Sequence, residues 1–142
     1  VTDSAANLPQ DLIAQYGISV VPVYLQWDDR TYRAGVDISP EDVYRLLRSG
    51  KTFPTTAAPP PGDFLEVYQK LAGQGYQILS AHLPTTLSSV IQSAQSAARM
   101  AVEQGIRVTV LDTGTAPWRK VLWSCLQRVQ RARRTTWMKW CE

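Results

Sequence analysis

YQILSAHLPTTLSSVIQSAQSAARMAVEQGIRVTVLDT, residues 76–113, decides how this chain folds. YQILSAHL and RVTVLDT are each short, apolar and rich in strand formers. Between them SSVIQSAQSAARMAVEQG reads as one long helix built largely from small residues, which lets it pack closely on a sheet. Strand, helix and strand in that order form a crossover, and a crossover joins parallel strands.

The same alternation runs upstream. VTD opens like the end of a short strand. LPQDLIAQYG reads as a helix with Pro9 near its first turn, Leu12, Ile13 and Tyr16 on one side, and Gly17 as the stop. SVVPVYLQW reads as a strand in which Pro22 marks an edge or a bulge. Asp28-Asp29 is a turn, and DDRTYRAGVDI continues into a short extended piece. Ser39-Pro40-Glu41-Asp42 combines a hydroxyl cap, a proline at the first position and carboxylates in the first turn. Val43, Leu46 and Leu47 supply that helix with a buried stripe, and Gly50 ends it. A proline-rich bend leads to GDFLEVYQKLAGQG, another helix, which Asp63 can cap. The expectation is an α/β layered domain with a mainly parallel sheet and flanking helices.

Composition narrows the function classes. Of 142 residues, 44% are apolar, enough for one ordinary core. No apolar run approaches the roughly 20 residues of a membrane helix, so no transmembrane segment is expected. The opening VTDSAANLP has neither the basic nor the apolar region of a signal peptide. Two cysteines, Cys125 and Cys141, make no disulfide framework and fit a cytoplasmic setting. The one histidine, His82, excludes a multi-histidine metal site. Asp3, Asp28, Asp29, Asp37 and Asp112 form no spaced metal signature, so no metal and no cofactor are expected. Walker and Gly-x-Gly-x-x-Gly loops are missing, and so is a Gly-x-Ser-x-Gly elbow. His82 with Ser80 or Ser88 is the one arrangement that a serine hydrolase reading could use; a satisfied structural histidine within the strand is the plainer reading.

The net charge of +3 conceals two regions. Residues 1–116 hold 8 Lys+Arg against 11 Asp+Glu, whereas residues 117–142 hold 7 against 1, with four of the five tryptophans and both cysteines. The basic end, with Arg128, Arg131, Arg133 and Arg134, admits a membrane or nucleic-acid tail as one reading.

Two neutral hydroxyl clusters stand before helices: Thr55 and Thr56 in KTFPTTAAPPPGDF, and Thr85, Thr86 and Ser88 in LPTTLSSV. Ligands of open α/β sheets bind beyond the carboxyl ends of the strands, where Asp3-Ser4, Pro84-Thr85-Thr86 and Asp112-Thr113 fall. A helix start offers unpaired N–H groups and partial positive charge. Hydroxyls around it make a clamp for a small anionic head group without burying a lysine or arginine beside an apolar tail. Ordinary capping and turn formation are the alternative for both clusters.

From Val1 to about Ala116 the order of motifs resembles the DegV family of bacterial fatty-acid-binding proteins. VTDSAANLP is similar to the family's Asp-Ser-x-x-Asp-Leu-Pro, with Asn7 for the aspartate. ISVVPVYLQWDDRTYRAGVDISPEDVY resembles the next block, which ends in Gly-Val-Asp-Ile-Ser. FPTTAAPPPGDF resembles Pro-x-Thr-Ser-Gln-Pro-Ser-Pro-Gly-x-Phe, and LPTTLSSVIQSAQSAA resembles Ile-Ser-Ser-x-Leu-Ser-Gly-Thr-Tyr-Gln-Ser-Ala. The resemblance implies a cytoplasmic carrier, not a catalyst, that holds a long-chain fatty acid and presents it to a fatty acid kinase catalytic subunit; no nucleic-acid partner is expected. It implies carboxylate contacts from Thr56 and Ser88, and Thr85 stands where the family has the second Ser of its Ser-Ser pair; Ser4, Thr55, Thr85 and Thr86 are the supporting candidates of the clamp. Ala57-Ala58 and Ser89-Val90 depart from the family's Ser-Gln and Gly-Thr.

The family's length implies a second domain, missing here, that covers the acyl chain. Residues 1–116 then form the DegV-like α/β domain. With plausible codons, residues 116–125 read in another frame as Ala-Met-Ala-Gln-Gly-Phe-Val-Val-Leu, similar to the helix the family places there. The expectation is that 117–142 is a frameshift product.

Overall fold

The structure is a computed structural model that describes residues 1–50 and 52–114. The basic stretch 117–142, and with it the frameshift reading, lies outside the described residues.

The crossover predicted at 76–113 is present. Strands β6 (Ile78–His82) and β7 (Val108–Asp112) pair in parallel, and helix α4 (Val90–Glu103) joins them. Ala94, Ala97 and Ala101 of α4 are fully buried, so the small-residue face does bring the helix close to its neighbours. Near the N-terminus, β1 (Thr2–Asp3) pairs in parallel with β2 (Val20–Val21) across helix α1 (Gln10–Tyr16). Val1 N donates to the Leu79 carbonyl at 2.6 Å, and Ala81 N donates to the Val1 carbonyl at 3.0 Å. One residue donating and accepting across two neighbours of the facing strand is the parallel pattern. It joins the two pairs in the order β2-β1-β6-β7, with all four carboxyl ends on one edge.

The remaining strands are antiparallel. β3 (Tyr24–Trp27) lies between β4 (Arg30–Arg33) and β5 (Thr55–Ala57). The β3–β4 hairpin turns at Asp28-Asp29, where Asp28 takes φ 51°, a left-handed conformation Asp tolerates. Two expectations change here. SVVPVYLQW is two strands in different sheets, because Pro22 has no N–H for a ladder and the chain turns aside there. Thr55 and Thr56 lie on a strand, not in a loop: β5 adds to the open edge of β3 with Leu25 facing Thr56.

Helix α2 (Pro40–Arg48) starts as expected: Ser39 and Asp42 form a reciprocal capping box with proline in the first turn. Its stripe is shallower than expected. Val43 and Leu47 are half-buried and Leu46 is exposed, because this helix sits away from the main core cluster. Helix α3 (Pro61–Gly73) begins at Pro61 with no side-chain cap; Asp63 lies inside its first turn and accepts from the Tyr24 hydroxyl at 2.7 Å. α3 packs against α4, and the core gathers Phe64 and Tyr68 of α3, Val21, Ile78 and the alanines of α4.

Candidate functional site at the carboxyl edge of the parallel sheet

The edge is knit together by backbone. Thr113, just beyond β7, donates from both N (3.2 Å) and Oγ1 (2.9 Å) to the carbonyl of His82, the last residue of β6. Asp112 Oδ2 accepts from Thr85 N at 3.2 Å, and its Oδ1 accepts from Gly114 N at 2.8 Å. Leu87 N and Ser88 N both donate to the Pro84 carbonyl, so residues 84–88 form a tight turn into α4.

The start of α4 is partly satisfied from within the turn, since Gln92 N and Ser93 N both donate to the Ser89 carbonyl. Ser89 at its cap makes no side-chain capping bond, and the first turn holds no acidic residue. Ser88 is half-buried beside it, its Oγ accepting from Val90 N at 3.2 Å. Its hydroxyl proton is left free to donate outward. Thr85 and Thr86 are exposed on the same turn. Ser4 follows β1, with Oγ accepting from Val23 N at 2.9 Å, so it ties the end of β1 to the chain beyond Pro22. Thr55 and Thr56 are exposed on β5, which leads through buried Pro59 into α3. The hydroxyl segments therefore fall into two groups. Ser4, Thr85, Thr86 and Ser88 follow ends of the parallel strands, and Thr55 and Thr56 lie on a different sheet.

A half-open cleft of about 860 Å³ lies between α1 and the segment leading into α2. Its walls include Leu8, Ile13, Ile18, Leu25, Val36 and Ile38. Ser4 borders it, while Thr55, Thr56, Thr85, Thr86 and Ser88 do not.

Beneath the edge runs a buried polar chain. Tyr68 OH donates to Ser80 Oγ at 2.9 Å; Ser80 Oγ meets His82 Nε2 at 2.7 Å; His82 Nδ1 meets Asp3 Oδ2 at 2.7 Å. Asp3 Oδ1 accepts from Ala5 N at 3.0 Å. The donors order themselves from the carboxylate outward. Asp3 can only accept, so Nδ1 carries a proton toward it. In the neutral ring Nε2 then accepts from Ser80, whose oxygen takes the Tyr68 proton. Burial pushes the Tyr68 hydroxyl up to about 12. The edge of one ring meets the face of the other where Phe64 packs on His82, centroids 5.2 Å apart.

Part of this chain was legible: Ser80 and His82 are two apart on a strand and share a face. Asp3 and Tyr68 arrive from elements far away in sequence, and no local signal marks them. Of the two serines considered for His82, the histidine bonds Ser80 and not Ser88, whose recorded partner is Val90 N. Asp3, His82 and Ser80 follow the order of a catalytic triad, yet Ser80 is 0% exposed and sits within a strand. A carbonyl substrate has no approach to that oxygen. Among the described residues, no group of three or more His, Cys, Asp or Glu side chains could hold a metal ion, and no helix is long and apolar enough to cross a membrane.

Comparison with known proteins fits this architecture. Residues 1–119 match the family described as "Uncharacterised protein, DegV family". The chain belongs to the DegV family. It is 40% identical over 113 residues to a DegV domain-containing protein of Caldanaerobacter subterraneus subsp. tengcongensis, covering 80% of this chain and 39% of the relative. In three dimensions it is similar to a DegV family protein from Thermus thermophilus whose structure describes fatty acid binding, with 35% identity, a TM-score of 0.76, and coverage of 97% of this chain and 48% of that one. It is likewise similar to a DegV lipid binding protein from Thermotoga maritima, with 26% identity, a TM-score of 0.77, and 92% and 47% coverage. The chain thus spans about 40% of the length of the curated DegV relatives it matches.

Proposed function

We propose that this chain is the N-terminal α/β part of a fatty-acid carrier. It holds the carboxylate of a long-chain fatty acid between Thr56 and Ser88, and Ser4, Thr55, Thr85 and Thr86 support the site. The observation that carries the reading is the start of α4, where the first turn holds no acidic residue, Ser89 makes no capping bond, and the Ser88 hydroxyl, accepting from Val90 N, keeps its own proton to donate. Partial positive charge at that helix start and neutral hydroxyl donors favour one carboxylate without a buried cation. The fatty acid binding of the Thermus relative supports the choice of ligand.

The carrier does no chemistry itself. A cytoplasmic fatty acid kinase acts on the acid it presents, as the family resemblance implies. The inaccessibility of Ser80 favours this over a hydrolase. The stretch 117–142 is the frameshifted continuation of a longer DegV gene, and the family match ends just past the compositional break. Resequencing the locus tests this: an intact frame through this region in independent isolates rejects it.

Without a second domain an acyl chain lies largely in water, and each unburied CH₂ forfeits roughly 0.8 kcal/mol. A fluorescent fatty-acid titration separates the cases. The complete reading frame binds and the 142-residue chain binds little. Absence of binding by the complete frame rejects the carrier reading, and tight binding by the short chain rejects the lid argument.

A further inference from the structure

We propose that Asp3, Ser80, His82 and Tyr68 are positioning residues: their buried hydrogen-bond chain sets the geometry of the hydroxyl clamp. The proposal rests on the clamp reading above and adds residues that the clamp itself does not contain.

Asp3 and His82 directly precede segments that carry clamp residues, and Tyr68 stands on the helix that follows a third. Ser4 directly follows Asp3. The turn holding Thr85, Thr86 and Ser88 begins right after His82. Thr55 and Thr56 lead into α3, which supplies Tyr68, and Phe64 near the start of α3 rests on the His82 ring. The His82 carbonyl also receives both bonds from Thr113, next to the Asp112 that holds Thr85. One imidazole therefore touches the end of β1, the end of β6 and the start of α3, and its backbone reaches the end of β7.

Energy alone gives no reason for this chain. A buried polar network is often matched in stability by apolar residues of the same volume. A directional network does what apolar packing does not: it admits one relative placement of the three segments, because a shift of any one leaves a buried donor or acceptor without its partner. No buried side-chain nitrogen or oxygen among the described residues lacks a partner, so the chain is complete as it stands.

The test uses the complete protein from the same locus, with a long-chain fatty acid and the fatty alcohol of equal length as probes, and thermal unfolding in parallel. The unmutated protein prefers the acid. His82→Gln lowers acid affinity about tenfold, the scale of one lost bond to a charged group, and alcohol affinity less than about twofold. Tyr68→Phe keeps the ring and removes one hydroxyl; it shifts the acid-to-alcohol ratio the same way by a smaller factor, and carries the test if His82→Gln does not fold. Ratios unchanged from the unmutated protein, with acid and alcohol affinities falling together as stability falls, assign the chain to packing and overturn the proposal. An unmutated protein that binds both probes alike shows instead that the carboxylate clamp is wrong, and the proposal falls with it.

Discussion

His82 Nδ1 lies 2.7 Å from Asp3 Oδ2, both side chains buried, although 79 positions separate the two residues in sequence. This contact fastens the first strand of the chain to the middle of the parallel sheet. Replacing either residue leaves the other buried without its partner. His82→Ala strands a buried carboxylate and is expected to cost about 3–5 kcal/mol of folding stability; Asp3→Ala leaves a neutral N–H without its acceptor and costs about 1–3 kcal/mol, and the double variant costs less than the sum. Urea unfolding at neutral pH measures this; additive losses would show that the pair does not act as a unit.

Ser80→Ala removes the joint of the chain. Tyr68 OH loses its acceptor and His82 Nε2 its donor, at an expected cost of about 1–3 kcal/mol. A serine-directed fluorophosphonate leaves Ser80 unlabelled in the folded protein, since that side chain is 0% exposed. Mass-spectrometric detection of the adduct on Ser80 would contradict the buried placement.

Stability depends on pH at both ends of the scale. The Tyr68 hydroxyl is raised by burial from 10.0 to about 12. The folded state therefore keeps its proton more tightly than the unfolded chain does. The contribution is fully present below pH 10 and lost as pH rises toward 12. Asp37 is opposite in sign. Its bonds to Arg33, side chain first and backbone N–H second, lower it from 3.8 to about 2, so its contribution is present above pH 3.8 and lost as pH falls toward 2. Denaturant midpoints measured across both windows check the signs. Tyr68→Phe flattens the alkaline fall, and Asp37→Asn flattens part of the acid one.

Thr56→Ala and Ser88→Ala in the complete reading frame each remove one proposed donor to the carboxylate. Each is expected to weaken fatty-acid binding about five- to twentyfold; Thr56→Ala has little effect on unfolding because Thr56 is exposed, whereas Ser88→Ala also removes the acceptor of Val90 N at the start of α4 and costs about 0.5–2 kcal/mol. Isothermal titration decides. Unchanged affinity in both variants removes these two residues from the site.

Packing on the small face of α4 gives the last prediction. Ala97 is 0% exposed, so Ala97→Leu forces added volume into a filled interface and costs about 1–3 kcal/mol. An unchanged thermal midpoint would show that the helix has room the structure denies it.

What the sequence determined by itself is what neighbours along the chain control. The capping box at Ser39 and Asp42, the stop at Gly17, the turn at Asp28-Asp29 and the β6–α4–β7 crossover are each written within a few residues or one helical period. The hydroxyl clusters were visible for the same reason. Tertiary structure alone decided which surfaces those elements meet. Thr55–Ala57 is a strand because β3 offers an open edge to it, and SVVPVYLQW is divided because two sheets claim its halves on either side of Pro22. Leu46 stays exposed because the core lies elsewhere. Asp3 and Tyr68 join His82 and Ser80 only once β1 and α3 are laid against β6. Hydrogen bonds and burial depend on distance in space, and no periodicity in a sequence encodes a distance of that kind.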